Sequence, residues 1–190
     1  DGSCVCPPPN NELALAEAVF CGGSFSGSLE NASDPDGVIG IAVTGTAVTT
    51  AGVWYEFNAP ADQAIFMDLC ETSFAGFASP ISDTKMHVFT LDADGNLVFV
   101  VGNDDTCGFL SGVSWVATTG TDYYIHVSRY STFTSGVEFV MNVECQDCDG
   151  GVPFNDFCEN ALPQVNGETF TGTTCCASPP LLPSFGSAFS

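Results

Sequence analysis

The spacing of apolar and polar side chains follows a period of two in one segment after another, most sharply between residues 83 and 143. Lys85 to Thr90 and Asn96 to Val101 are dominated by β-branched and aromatic residues, the composition of strands with at least one buried face. Asp92-Ala93-Asp94-Gly95-Asn96 lies between them and supplies residues that tolerate positive φ, which predicts a hairpin. Gly102-Asn103-Asp104-Asp105 marks a second turn. Ser111 to Ala117 and Asp122 to Ser128 follow, separated by Thr118-Thr119-Gly120-Thr121, and read as a second hairpin. The central stretch is therefore predicted to be a β-meander.

The flanking segments extend the pattern. Gly52 to Phe57 alternates cleanly, and Ala64 to Leu69 is predicted to be its neighbour. Gly136 to Val143 puts Val137, Phe139, Met141 and Val143 on one face and Glu138 and Asn142 on the other, the mark of a strand with one wet face. From Gly23 to Val48, small residues alternate around the turn Asp34-Pro35-Asp36-Gly37, which predicts short strands on either side. Asn11 to Val19 has helical composition but is too short for more than a turn or two. Roughly eight short strands with turn signals between them predict an all-β antiparallel sandwich.

A shift of 145 positions lays Phe25-Ser26-Gly27-Ser28 on Phe170-Thr171-Gly172-Thr173 and Ala32-Ser33 on Ala177-Ser178. The C-terminal part thus reads as the opening of a second copy that stops before its Trp-Tyr strand. Three regions result: a Cys- and Pro-rich entry linker (1–9), a β-sandwich (10–148) and a partial second repeat (149–190).

Composition narrows the partners. The chain has 23 acidic residues against two cations, Lys85 and Arg129, for a formal net charge of −21. Nucleic acid needs clustered cations and is excluded; an anionic membrane is disfavoured for the same reason, and the apolar runs are too short for membrane insertion. Ten cysteines in 190 residues suit an oxidising, extracellular compartment. A chain that opens at Asp1 without Met or an apolar leader is what a secreted protein looks like after processing.

The order Asp83-Thr84, then Asn103-Asp104-Asp105 with Cys107-Gly108 and Ser111, then Gly120-Thr121-Asp122-Tyr123-Tyr124-Ile125-His126-Val127 and the closing Gly136 strand resembles the bacterial pre-peptidase C-terminal β-sandwich domain. Asn155-Asp156-Phe157-Cys158-Glu159-Asn160-Ala161 resembles the opening motif of its cysteine-rich secreted variants. The resemblance covers residues 10 to 145 and the start of another copy from 155. It implies a jelly-roll-like, non-catalytic module of secreted proteins that serves attachment, substrate binding or assembly, in some cases with calcium. The first copy departs from the opening motif, with Leu13 where the second has Cys158.

Asp83, Asn103, Asp104 and Asp105 are the candidate calcium ligands, since calcium takes six to eight oxygens from carboxylates and carbonyls; the bland alternative is a turn whose side chains cap their own backbone. No other cofactor is expected. His87 and His126 lie in predicted strands without a nucleophile elbow nearby, which argues against catalysis. Cys70 and Cys107 flank the meander and are predicted to be joined. Cys4, Cys6, Cys21, Cys145, Cys148, Cys158, Cys175 and Cys176 are expected to be bridged to partners that the spacing leaves open. Cys4-Val5-Cys6 and Cys145-Gln146-Asp147-Cys148 lack a second pair at zinc-finger spacing. Asn31-Ala32-Ser33 is a glycosylation sequon.

The leading expectation is a secreted structural protein. It would join other copies of itself head to tail into a filament or matrix, through an arm carrying Phe170, Leu181, Leu182, Phe185 and Phe189. The alternative is a carbohydrate- or surface-binding accessory module of a larger secreted enzyme, with polysaccharide as its partner.

Overall fold

Segments in which every second side chain is apolar form strands that bury one face. In the computed structural model, which describes residues 6–33 and 51–147, such strands build two sheets. They are β1 (Glu17–Ala18), β2 (Ser24–Ser28), β3 (Gly52–Asn58), β4 (Gln63–Asp68), β5 (Thr84–Leu91), β6 (Leu97–Asn103), β7 (Gly112–Ala117), β8 (Asp122–Arg129) and β9 (Glu138–Asp147). One sheet has the order β1-β3-β8-β5-β6 and the other β2-β9-β4-β7. Short β1 runs parallel to β3; the other strand pairs are antiparallel. The architecture is the expected all-β sandwich.

Val53, Tyr55 and Phe57 of β3, Met86 and Val88 of β5, and Ile125 and Val127 of β8 pack against the other sheet. There they meet Ile65 and Met67 of β4, Val113 and Trp115 of β7, and Phe139, Met141 and Val143 of β9. All are buried, and each full burial contributes about 1.5–3 kcal/mol before conformational entropy is set against it. Cys21–Cys145 ties the lead into β2 to β9, across a sequence separation of 124.

Two expectations change. The first hairpin forms as read, β5 with β6: Asp92 accepts hydrogen bonds from the backbone N–H groups of Asp94 and Asn96 through Oδ1, and Gly95 takes φ +82°. The meander does not continue, because β7 pairs with β4 while β8 pairs with β3 and β5. Turn 118–121 is clamped instead to the β3–β4 connection, through Gly120 N–H to Ala59 O (2.8 Å) and Ala59 N–H to Thr121 O (3.0 Å), and it passes the chain from one sheet to the other. Likewise β4 is not the neighbour of β3; the two lie in opposite sheets. The segment expected to be helical has one 3-10 turn at Leu13–Leu15 and then β1. Its Leu13 and Ala16 pack against Trp54 and Phe89, so tertiary burial overrides a weak local propensity.

The outer face of the five-stranded sheet is also dry. Trp54, Lys85, His87, Phe89, His126 and Ser128 are all buried there, and Lys85 Nζ sits 4.7 Å from the Tyr130 ring centre. His87 and His126 are direct cross-strand partners, and Trp54 lies 4.6 Å from the His126 ring. Gly52 makes this packing achievable, since a Cβ there would stand 2.5 Å from the imidazole of His126. Neither ring nitrogen of His126 has a hydrogen-bond partner. Burial, and secondarily His87, push its pKa down from 6.5 to about 3.

A depressed histidine pKa means that between these values the unfolded chain takes up a proton the folded chain refuses, so stability falls as pH is lowered through that window. The expected outcome is a melting temperature that already drops between pH 7 and pH 5, above the range of about 3.9–4.3 in which carboxylates titrate. A flat melting temperature over that interval would contradict a neutral, buried imidazole.

Candidate binding face and groove

The outer face of the four-stranded sheet is the wet counterpart of the buried one. β9 turns Asn142, Glu144 and Gln146 outward, β4 turns Ala64, Phe66 and Asp68, and β7 turns Ser114 and Val116, as the alternation with their buried neighbours requires. The register places Glu144, Phe66 and Ser114 in one row across the three strands. Asn142, Asp68 and Gly112 form the next row, and Gln146, Ala64 and Val116 the row on the other side. Phe66 is 45% exposed at the centre of this array. Neighbouring strands are about 4.8 Å apart, so carboxylate, amide and hydroxyl groups surround one aromatic ring at short range.

A groove of about 450 Å³ opens beside it. Phe66, Asp68, Gly112 and Ser114 line it together with Asn103, the last residue of β6, and Thr106. Cys70, which is bonded to Cys107, also lines it. Asp68 Oδ1 accepts the N–H of Cys70 at 2.8 Å, so the carboxylate is aimed by the turn it caps. The arrangement offers one apolar ring face with hydrogen-bonding groups at its edge.

The predicted site residues divide as follows. Asn103 is engaged in its own turn: its Oδ1 accepts the N–H groups of Asp104 (2.7 Å) and Asp105 (3.1 Å), and its Nδ2 donates to Thr106 Oγ1 (3.0 Å). Asp83 is brought near Asp104 and Asp105. Burial first, then Asp105 and Asp104, raise its carboxyl above the usual range, with Lys85 opposing. Its buried Oδ1 has no hydrogen-bond partner. Among the described residues no three His, Cys, Asp or Glu side chains gather at metal-binding distance. Cys6 and Asn31 are exposed, Asn31 with φ 60°. Cys4, Cys148, Cys158, Cys175, Cys176, Phe170, Leu181, Leu182, Phe185 and Phe189 lie outside the described residues. Sequence reasoning passed over Phe66, Asp68, Ser114 and Glu144. The available signal was a phenylalanine on the polar face of an alternating strand, with Ile65, Met67 and Leu69 filling the other face.

Fold and face together define a disulfide-linked, all-β sandwich with one buried and one open outer surface. No family model and no curated protein matches the chain. Among solved structures it is similar to the pre-peptidase C-terminal domain of a collagenase from Bacillus anthracis, with 16% sequence identity, a TM-score of 0.41, and coverage of 68% of this chain and 94% of that one. That is the domain type the sequence motifs resemble.

The Asp83 cluster generates a stability prediction. A carboxyl whose folded pKa is raised destabilises the fold when ionised, so Asp83→Asn should raise the melting temperature at pH 7 in calcium-free buffer. A lowered value would mean that the charge of Asp83 is compensated in the folded state.

Proposed function

We propose that the chain is a non-catalytic module of a larger secreted protein, and that it binds an uncharged polysaccharide across the open face of the four-stranded sheet. The carrying observation is Phe66, exposed at the centre of a row flanked by Glu144 and Ser114 and bordered by a groove. Its ring presents an apolar face beside hydrogen-bonding groups, the combination of a polar handle and an aromatic platform that ligand sites use. Charge disfavours an anionic ligand: 23 acidic residues against two cations repel polyanions. The bridges Cys21–Cys145 and Cys70–Cys107 suit an oxidising, extracellular setting. Filament formation finds no support among the described residues, because the arm it requires lies outside them.

Titration calorimetry with cellohexaose and chitohexaose tests the reading. The protein should bind at least one of them, and Phe66→Ala, a change at a solvent-facing position, should weaken binding by about 1 kcal/mol or more, roughly fivefold or greater. Equal affinity of wild type and variant would remove Phe66 from the site.

A further inference from the structure

The hydroxyl of Tyr55 is left over by the fold. Tyr55 is 1% exposed and its ring lies in the apolar layer, edge-on to Phe139, yet its Oη has no hydrogen-bond partner. A buried hydroxyl in that state costs stability. Gly27 of β2 passes over the oxygen, where any Cβ would collide with it. Tyr55 and Gly27 both line a pocket of about 260 Å³, so the phenol ends against that pocket. Asn10 lies beside the hydroxyl without completing a hydrogen bond to it; its Nδ2 donates to Trp54 O at 3.0 Å instead.

The pocket lies along β1 and β2, the strands that edge the two sheets, whereas the groove beside Phe66 lies by β6 and β7 at the other edge. Glu17 of β1 lines it and is the direct register partner of Tyr55 in the parallel β1–β3 pair, which puts the two side chains on the same side of the sheet at about 4.8 Å strand spacing. Its charge is felt there: the phenol pKa is raised, by burial first and then by Glu17. Glu30 supplies a second carboxylate to the lining, on backbone whose N–H donates to Ser28 Oγ at 3.1 Å. The remaining wall includes Pro7, Pro8 and Pro9. These are fixed by Trp54 N–H donating to Asn10 O at 2.8 Å and Asn11 N–H to Pro8 O at 3.1 Å.

The lining selects by charge and by donor count. It contains no cation; Arg129 approaches Leu29 O at 3.5 Å but is not part of it. A carboxylate or phosphate would meet Glu17 and Glu30 as like charges. A divalent metal ion wants six or more oxygens, more than a phenol and two carboxylates offer. An alkylammonium carries three N–H donors and no acceptor, which matches acceptors arriving from three separate segments, and its stem suits a proline wall. The volume of about 260 Å³ is several times the roughly 30 Å³ share of one water, so it accommodates a stem as well as the charged head.

We propose that this pocket binds a primary ammonium group on a short alkyl stem, the chemistry shared by a lysine side chain and a free alkylamine, with Tyr55 Oη and the carboxylates of Glu17 and Glu30 as its acceptors. The site has no residue in common with the groove beside Phe66 and stands independently of the polysaccharide reading.

The test titrates the full chain with n-butylamine hydrochloride and with Nα-acetyl-lysine-N-methylamide, following the backbone amides of Gly27, Ser28 and Asn31 by NMR, with n-butanol and calcium chloride as controls. The ammonium compounds should give saturable shifts at these amides and n-butanol none. Tyr55→Phe, which deletes only the unpartnered oxygen, should keep or raise the melting temperature and weaken ammonium binding by about tenfold or more. Glu17→Gln, at an exposed position, should weaken it by about twofold to fivefold. Tighter binding of the lysine derivative assigns the source to a protein lysine and tighter binding of n-butylamine to a free amine; both support the site. The proposal is overturned by the absence of saturable shifts at these amides, by n-butanol binding as well as n-butylamine, by calcium binding more tightly than either ammonium, or by unchanged affinity in Tyr55→Phe. If Tyr55→Phe is less stable than wild type, Glu17→Gln decides, and unchanged affinity in that variant overturns the site.

Discussion

The single apolar layer between the two sheets is the interaction on which everything else depends. Each of β3, β5, β8, β4, β7 and β9 gives alternate side chains to it, and a slip of one residue in any of them would move those side chains to the opposite face. Most of the pairings that hold this register are distant in sequence: β3 with β8, β4 with β9 and β2 with β9. The Cys21–Cys145 bridge limits the unfolded chain over a separation of 124 residues. In the chain-entropy treatment, loop closure on that scale contributes roughly 5 kcal/mol.

With the inner layer settled, the two outer faces take opposite roles. On the five-stranded sheet the outward positions are filled by Trp54, Phe89, His87 and His126 and are buried. On the four-stranded sheet most are serines, amides and carboxylates, with Ala64 and Val116 among them, and Phe66, Glu144 and Gln146 are open. Burial makes imidazole basicity a liability on the first face, and exposure makes an aromatic ring available on the second. The same alternation rule therefore yields a second core layer in one place and a solvent-facing surface in another.

Electrostatics disfavours anionic partners without deciding the fold. The chain has only Lys85 and Arg129 as cations. Lys85 lies over Tyr130 and Arg129 reaches toward Leu29 O at 3.5 Å. Both are committed to structure, and the outward acidic residues remain to repel anything anionic.

Sequence by itself determined what is local. Strand content, the β5–β6 hairpin with its Asp92 and Gly95 turn, and the wet and dry faces of β9 all follow from residues within a few positions of one another. The pairing of Cys70 with Cys107 was likewise legible from where the two flank the central strands. Sheet membership was decided only by the tertiary structure, because a turn such as 118–121 has the same chemistry whether it joins partners in one sheet or carries the chain between two. The Asn11 to Val19 segment keeps the single turn its composition allows, Leu13–Leu15, while the packing of Leu13 and Ala16 against Trp54 and Phe89 was set from elsewhere in the chain. The candidate face was invisible for the same cause: Phe66, Glu144 and Ser114 are unremarkable along the chain and form one row only when pairing sets them side by side.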